Sequence, residues 1–448
     1  VQVQAAAGSY ANSTTYTILN ATGGVAGTYA GVSSNFAFLT PTLSYDANDV
    51  FLTLALGQNA FTSFGGITPN QKAVGTALNQ SFANASGDFA TVIGALAGLN
   101  TAQGPAALDT ISGQPYANFG TMNTNNAALF MNALGQQMAN ARGSSASTGQ
   151  RQAMAQACEI ESCDATGPLS AWASALGGLG SVLGDSNAST LTYNFGGAAA
   201  GMDYRFDPRF LAGIGVGYTH GTQWVNNFMG QGWSDSASVA AYGSFTQSGF
   251  YVDALAGYAY YSNQLQRQIQ IPGLQQRTAT GSTGANQFLG QIEGGYKLGL
   301  YAPASATITP FGRFQISSVT QNAFSESGAQ SLNLNVAQQT TNSQRTTVGA
   351  DLASSIGFSE DRKVDFAVRL GWLHEFANVA RPITAAFAGA PGDSFTVFGA
   401  TPLRNSAVVG LQATTNIAQA TQIYLRYDGE IASGTDNHAL NIGLRMSW

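Results

Sequence analysis

The sequence predicts a mainly β fold: a 12-stranded antiparallel transmembrane β-barrel, preceded by a β-solenoid remnant and an α-helical linker region. Three observations predict it. Charged residues fill only 9% of the 448 positions while 54 positions are Gly, against roughly 25% and about 7% in an ordinary soluble domain. From Leu169 to Trp448 the apolar pattern has a period of two, and the segments carrying it are joined by connections that alternate between tight and long. No stretch approaches the ~20 apolar residues that a membrane-crossing helix needs, which leaves the closed barrel as the other way to span a bilayer.

Composition excludes other classes. With 17 Tyr, 25 Phe and 5 Trp the chain is too aromatic to be disordered by charge. Seventeen Lys+Arg against 23 Asp+Glu leave a net charge of −6 and no counterion-releasing surface, so no nucleic-acid partner is expected. Val1 follows no charged-then-apolar signal segment, and the chain reads as a processed or truncated product.

Residues 1–60 read as short β segments punctuated by Gly and Asn (TYTILNATGG, GTYAGV, FAFLTPTLSYDANDVFLTLAL). Such segments suit the end of a β-solenoid, whose coils bury their faces only against neighbouring coils. Residues 61–167 read as a helical junction. Val74, Leu78 and Phe82 form one helical stripe, and Phe89, Val92, Ile93 and Leu96 a second. Leu129, Phe130, Leu134 and Met138 form a third, with Arg142 in the last turn, where a cation suits the helix dipole. Gly104–Pro105 and Gln114–Pro115 break the region into short helices. The Ser-, Gly- and Gln-rich stretch 143–167 reads as a linker. It contains the two Cys, Cys158 and Cys163, for which a local disulfide is expected, with free thiols as the alternative. His220, His374 and His438 lie too far along the chain to complete a zinc site with them, so no metal or cofactor is expected.

Residues 168–448 supply the strands: 169–180, 190–204, 209–220, 233–247, 249–263, 285–300, 305–319, 342–357, 363–376, 404–416, 421–431 and 438–448. Tight connections fall at 206–208, 247–248, 303–304, 359–362 and 418–419, and long ones at 264–284, 320–341 and 377–403. Short turns on one side and long loops on the other are the outer-membrane pattern. Parity supports a lumen. In the last strand Leu440, Ile442, Leu444, Met446 and Trp448 share the face opposite Asn441 and Arg445. Phe366, Val368, Leu370, Trp372 and Phe376 oppose Asp365, Arg369 and Glu375, while Ile423, Leu425, Tyr427 and Ile431 oppose Arg426, Asp428 and Glu430. An Arg facing lipid at the midplane costs about 2–4 kcal/mol, so these charges belong inside.

The stretches RLGWLHEF, RPITAAFAGAPGDSF, TVFGATPLRNSAVVG, IYLRYDGE and NHALNIGLRMSW, with PLSAWASALGGLGSVLGD and FGGAAAGMDYRFDP, resemble the translocator barrel of autotransporters, the type V secretion proteins of Gram-negative bacteria. LSYDANDVFLTL resembles the closing rung of a passenger β-helix, and LDTISGQPYA a helical segment between passenger and barrel. The resemblance implies an outer-membrane location, a linker threading the lumen, and export or anchoring of the chain's own passenger at the cell surface. Outer-membrane lipid, barrel-assembly machinery and periplasmic chaperones are the implied partners. Leu444, Met446 and Trp448 resemble the terminal signal for assembly. A twelve-stranded lumen lies between the side-chain-filled interior of eight strands and the aqueous channel of 16–18, leaving room for about one helix. Residues 126–142 are the first candidate for that helix and 150–160 the second.

Chemistry is scarce, and no enzyme activity is expected. The dipeptide Asn125–Asn126 resembles the cleavage site of some autotransporters, a match of two residues against which the ordinary helix N-cap is the leading reading. GDS at 184–186 matches the start of an esterase motif but lacks its downstream partner, and no GxSxG, HExxH or phosphate loop is present. His374 and Glu375 are consecutive in a strand and point to opposite faces, His374 toward the interfacial belt and Glu375 toward the lumen. The candidate lumen residues are Glu293, Asp351, Arg369, Glu375, Arg426, Asp428 and Arg445, either as a rigidifying network or as contacts to the threaded linker. The passenger is expected to be an adhesin or other virulence-type surface protein. A porin-like channel whose N-terminal part is a plug or periplasmic domain is the competing reading.

Overall fold

A computed structural model describes residues 1–6, 8–143, 168–359, 362–418 and 420–448. Cys158, Cys163 and the second linker candidate, 150–160, lie outside the described residues.

Twelve strands form the barrel: β1 (Leu169–Val182), β2 (Leu191–Asp207), β3 (Phe210–Val225), β4 (Met229–Gln247), β5 (Phe250–Ile269), β6 (Arg277–Tyr296), β7 (Ala306–Gln321), β8 (Gln339–Ser359), β9 (Arg362–Glu375), β10 (Asn405–Ala418), β11 (Thr421–Ile431) and β12 (Thr435–Ser447). Each pairs antiparallel with its sequence neighbour, and β12 pairs with β1 from Thr435–Val182 to Ser447–Ser170, so the sheet closes. A short extra segment, Leu298–Tyr301, continues β6 and pairs with the start of β7. Every strand lies where the period-two pattern placed it. The faces sort as expected too: Ile442 is 52% exposed on the outer wall while its neighbour Asn441 is 6% exposed inside.

Short turns close one end. Ser248 and Gly249 both take positive φ (50° and 88°) between β4 and β5, the mirror-image turn that matches strand twist. Asp207 Oδ1 accepts from the backbone N–H of Arg209 at 2.6 Å and of Phe210 at 3.0 Å to fix the β2–β3 turn.

At the other end the structure departs from the expected loops. The connection read as 264–284 shrinks to 270–276, because β5 and β6 continue beyond the apolar zone on polar residues. The two remaining long loops fold: Phe324–Ser325, Leu334–Val336, Pro382–Phe387 and Ala390–Phe398 form a four-stranded sheet.

Residues 61–143 are helical, as read: α1 (Pro69–Ser81), α2 (Gly87–Ala97), α3 (Gln103–Ile111), α4 (Gln114–Ala117) and α5 (Phe119–Arg142). Thr68 and Gln71 form a reciprocal capping box at the start of α1, with Pro69 in the first turn. Pro105 and Pro115 likewise sit in first turns, so they open α3 and α4. Helix α1 lies on the loop sheet, where Asn70 donates to the Phe398 carbonyl at 2.8 Å and accepts from its N–H at 2.8 Å. Val74, Leu78, Val92, Ile93 and Leu96 from the first two stripes are fully buried.

The N-terminal segment differs from a solenoid, which stacks strands in parallel. Among the described residues, parallel pairing is confined to Gln2–Val3 with Ser33–Ser34. Ser13–Asn20, Asp49–Leu56 and Leu39–Tyr45 form an antiparallel sheet with Asp49–Leu56 in the middle. The cause is local: Asp46 Oδ1 accepts from the N–H of Asn48 (2.8 Å) and Asp49 (2.7 Å), folding DAND into a hairpin turn.

Candidate functional site: the helix in the lumen

Helix α5 occupies the barrel interior. Its 24 residues span about 36 Å, enough to cross a hydrocarbon core of ~30 Å. Its N-terminus lies at the long-loop end, where a Cβ at Gly120 would stand 3.3 Å from Thr341 Cβ at the start of β8. Its C-terminus lies at the short-turn end, where Arg142 pairs with Asp253 and donates to Ser244 at 3.2 Å. There the Arg205 guanidinium donates to the Ala141 carbonyl at 2.6 Å, a cation on the negative end of the helix dipole.

One side of the lumen is thinned by glycine. A Cβ at Gly217 would stand 2.9 Å from the Phe130 ring, one at Gly215 2.6 Å from Leu134, and one at Gly221 2.5 Å from Met122. All three glycines face inward from β3, so the apolar stripe of α5 seats against bare backbone. Phe130, Leu134 and Met138 are buried completely as a result.

The other contacts are polar. Asn126 donates to Thr219 Oγ1 at 2.6 Å, and Asn125 to the Tyr193 hydroxyl at 2.7 Å. Arg313 donates to Asn132 at 2.9 Å, Arg426 to Gln136 at 2.6 Å, and Gln137 to the Tyr424 hydroxyl. Buried amides with no partner are costly, so these bonds fix this side of the helix to this wall, while Gln137 Oε1 and Asn140 Nδ2 have no hydrogen-bond partner among the described residues.

Of the seven charged candidates, most bond to partners in the wall, and one meets the helix. Glu293 binds Arg313 at 2.5 Å, Arg369 at 3.2 Å and the Tyr251 hydroxyl at 2.8 Å. Asp351 holds Arg369 through two 2.7 Å bonds, and the guanidinium stacks 4.0 Å above Phe311. Arg426 grips Asp428 through two 2.7 Å bonds and alone of the seven donates directly to α5. Arg445 pairs with Asp203, which also accepts from the Tyr242 hydroxyl at 2.9 Å. Glu375 sits at the long-loop rim, accepting from Ser343 (2.5 Å), the Gln344 N–H (2.7 Å) and the Ala377 N–H (2.9 Å). Its role there is to order a loop start.

Other expectations resolve plainly. Asn125 and Asn126 lie inside α5, whose N-cap is Asn118, so the N-cap reading is corrected. Asp185 of the GDS stretch accepts from the N–H of Asn187 (2.7 Å) and Ala188 (2.8 Å) and builds a turn. His374 faces outward between Trp372 and Phe376, bonded to Asn405 at 2.8 Å. Leu444 and Met446 on β12, and Trp448 just after it, are 43–53% exposed. Sequence reading gives Arg142 only as a helix-end cation, and misses Asp203, Asp253 and Arg313. The strand parity that singled out Arg369 marks the last three as inward.

A closed barrel of twelve strands, apolar outside and filled by the helix that precedes it, fits a self-plugged translocator. The decisive comparison agrees, for the family model "Autotransporter beta-domain" matches residues 171–428. The chain belongs to the autotransporter β-domain family. As a member of it, the barrel is an outer-membrane translocator, a transport domain of the bacterial outer membrane. An extracellular serine protease of Serratia marcescens is 22% identical over 96% of this chain and 42% of its own length. Esterase EstA of Pseudomonas aeruginosa is 24% identical over 59% of this chain and 39% of its own. This autotransporter chain thus spans about two fifths of the length of the curated relatives it matches. Similar solved structures include the NalP translocator domain of Neisseria meningitidis (17% identical, TM-score 0.49, 67% of this chain and 95% of that one) and the Bordetella BrkA β-domain (15%, 0.46, 63% and 100%).

Proposed function

We propose that residues 168–448 deliver the chain's own N-terminal part to the cell surface and hold it there, with residues 1–60 the end of a passenger and 61–167 its junction. One observation carries this reading. Helix α5 enters the lumen at the long-loop end and leaves it at the short-turn end, where β1 begins. Everything before it therefore lies on the long-loop side, the outer face of an outer-membrane barrel. The passenger is an adhesin or another virulence-type surface protein. The barrel performs no catalysis, and the protease and esterase activities belong to the relatives that carry those names.

The finer roles follow the same reading. Leu444, Met446 and Trp448 serve as the terminal signal for barrel-assembly machinery, with periplasmic chaperones keeping the chain unfolded until then. Cys158 and Cys163 form a disulfide in the oxidising periplasm. A conducting porin suits a lumen filled by Phe130 and Leu134 poorly. Protease added to intact cells tests the proposal: residues 1–60 are digested while the barrel is protected. Protection of residues 1–60 until the outer membrane is opened would refute it.

A further inference from the structure

At the outer mouth the loops and the junction helices share two arginine sites, one buried at Arg267 and one half-buried at Arg277. Arg267, near the end of β5, is 2% exposed. Its Nε and Nη2 donate to the two Glu326 oxygens at 2.6 Å each, its Nη2 to the Leu332 carbonyl at 2.9 Å, and its Nη1 to the Thr110 carbonyl of α3 at 3.1 Å. Glu326 is completed by the Leu334 N–H at 2.7 Å and by the Tyr116 hydroxyl of α4 at 2.8 Å. On the next strand Arg277 holds Asp88 of α2 at 2.6 and 2.8 Å and donates to the Ala329 carbonyl at 3.0 Å. Asp88 in turn accepts from the Ser331 N–H at 3.1 Å. Each arginine thus joins a barrel strand, the 322–338 loop and a junction helix.

These groups complete one another only when the helices are outside. Without α2–α4, Arg277 loses its carboxylate, Glu326 loses the Tyr116 hydroxyl, and Arg267 loses the Thr110 carbonyl. A buried charge left short of partners is unfavourable, so the loop cannot close in this way on its own. Four helices laid on a sheet are also wider than the single helix that the lumen admits.

We propose that the junction and the two long loops form a second seal, latched by Arg267–Glu326 and Arg277–Asp88, that closes the outer mouth independently of α5. The latch closes only after residues 57–118 have emerged, and then blocks both return of the chain and passage of solute. The timing rests on the export reading above; the seal itself does not.

Gln321, 6% exposed beneath this cap, reports on it. In the purified full chain carrying Cys158→Ser, Cys163→Ser and Gln321→Cys, a bulky maleimide is expected to label slowly. With Asp88→Asn and Glu326→Gln added, labelling should quicken about a hundredfold, the change that loss of buried ion-pair partners produces. Retained heat-modifiable gel mobility certifies the barrel in both proteins. Arg267→Met, which removes the other half of the pair, should quicken labelling as well. Equal rates with and without the latch, fast or slow, would overturn the seal. Surface proteolysis of residues 1–60 reads export separately, so that reading can fail while the labelling difference stands.

Discussion

Arg426 on β11 donates a 2.6 Å hydrogen bond to Gln136 on α5 while its other edge grips Asp428 at 2.7 Å. A single guanidinium thereby ties the lumen helix to the wall and neutralises the carboxylate beside it. Removing it with Arg426→Ala should leave Asp428 charged and unpaired, a loss of about 3–5 kcal/mol. Urea titration of the heat-modifiable gel shift measures this. Adding Asp428→Asn should restore part of the loss, and Gln136→Ala alone should cost less, about 1–3 kcal/mol.

The glycine wall makes a steric prediction. Gly217→Val should force the Phe130 ring away and destabilise the protein by about 1–3 kcal/mol, the usual cost of overpacking. Phe130→Ala in the same chain should relieve part of it. A thermal melt of the two single variants and the double variant gives the coupling directly, and strictly additive effects would place the helix elsewhere.

Legibility followed the membrane. A bilayer imposes strict alternation on every strand that crosses it, so all twelve strands, the inward charges and the exposed Trp448 could be read from residue order alone. Where lipid ends, that constraint ends. The outer halves of β5 and β6 alternate Gln, Thr and Ser with buried groups such as Arg267 and Ala279, and polar residues on the exposed face read as loop. The four-stranded loop sheet depends on helices α1–α4 for its cover and has no local signature. Alternation in residues 39–56 showed strands but not their direction, and the Asp46 turn was the signal that could have fixed it.

Acid should loosen the outer cap first. The Arg277 guanidinium holds the Asp88 carboxyl at about 2, below its usual 3.8. A carboxylate with a depressed folded value contributes stability that is complete above about pH 4 and lost as pH falls toward about 2. Hydrogen exchange of α2 should therefore rise between pH 4 and pH 2 while the barrel strands stay protected. Asp88→Asn should exchange faster at neutral pH and lose that acid step.

Parity along β12 makes a lipid-side prediction. Ile442→Arg places a charge on the outer wall and should weaken folding into vesicles by about 2–4 kcal/mol. Asn441→Arg, one residue away and inward, should instead disturb the lumen without altering the partition of the folded barrel into lipid. Denaturant titration of folding in phosphatidylcholine vesicles separates the two.

Helix α5 runs through the barrel with its N-terminus at the outer end. Gly120 and Thr341 test this most directly, because their Cβ positions lie 3.3 Å apart, close to disulfide geometry. With Cys158 and Cys163 replaced by Ser, Gly120→Cys and Thr341→Cys should cross-link nearly completely when an oxidant reaches the folded protein in outer membranes. Two free thiols persisting in a barrel that still shows its heat-modifiable shift would put the helix outside the lumen and contradict the account.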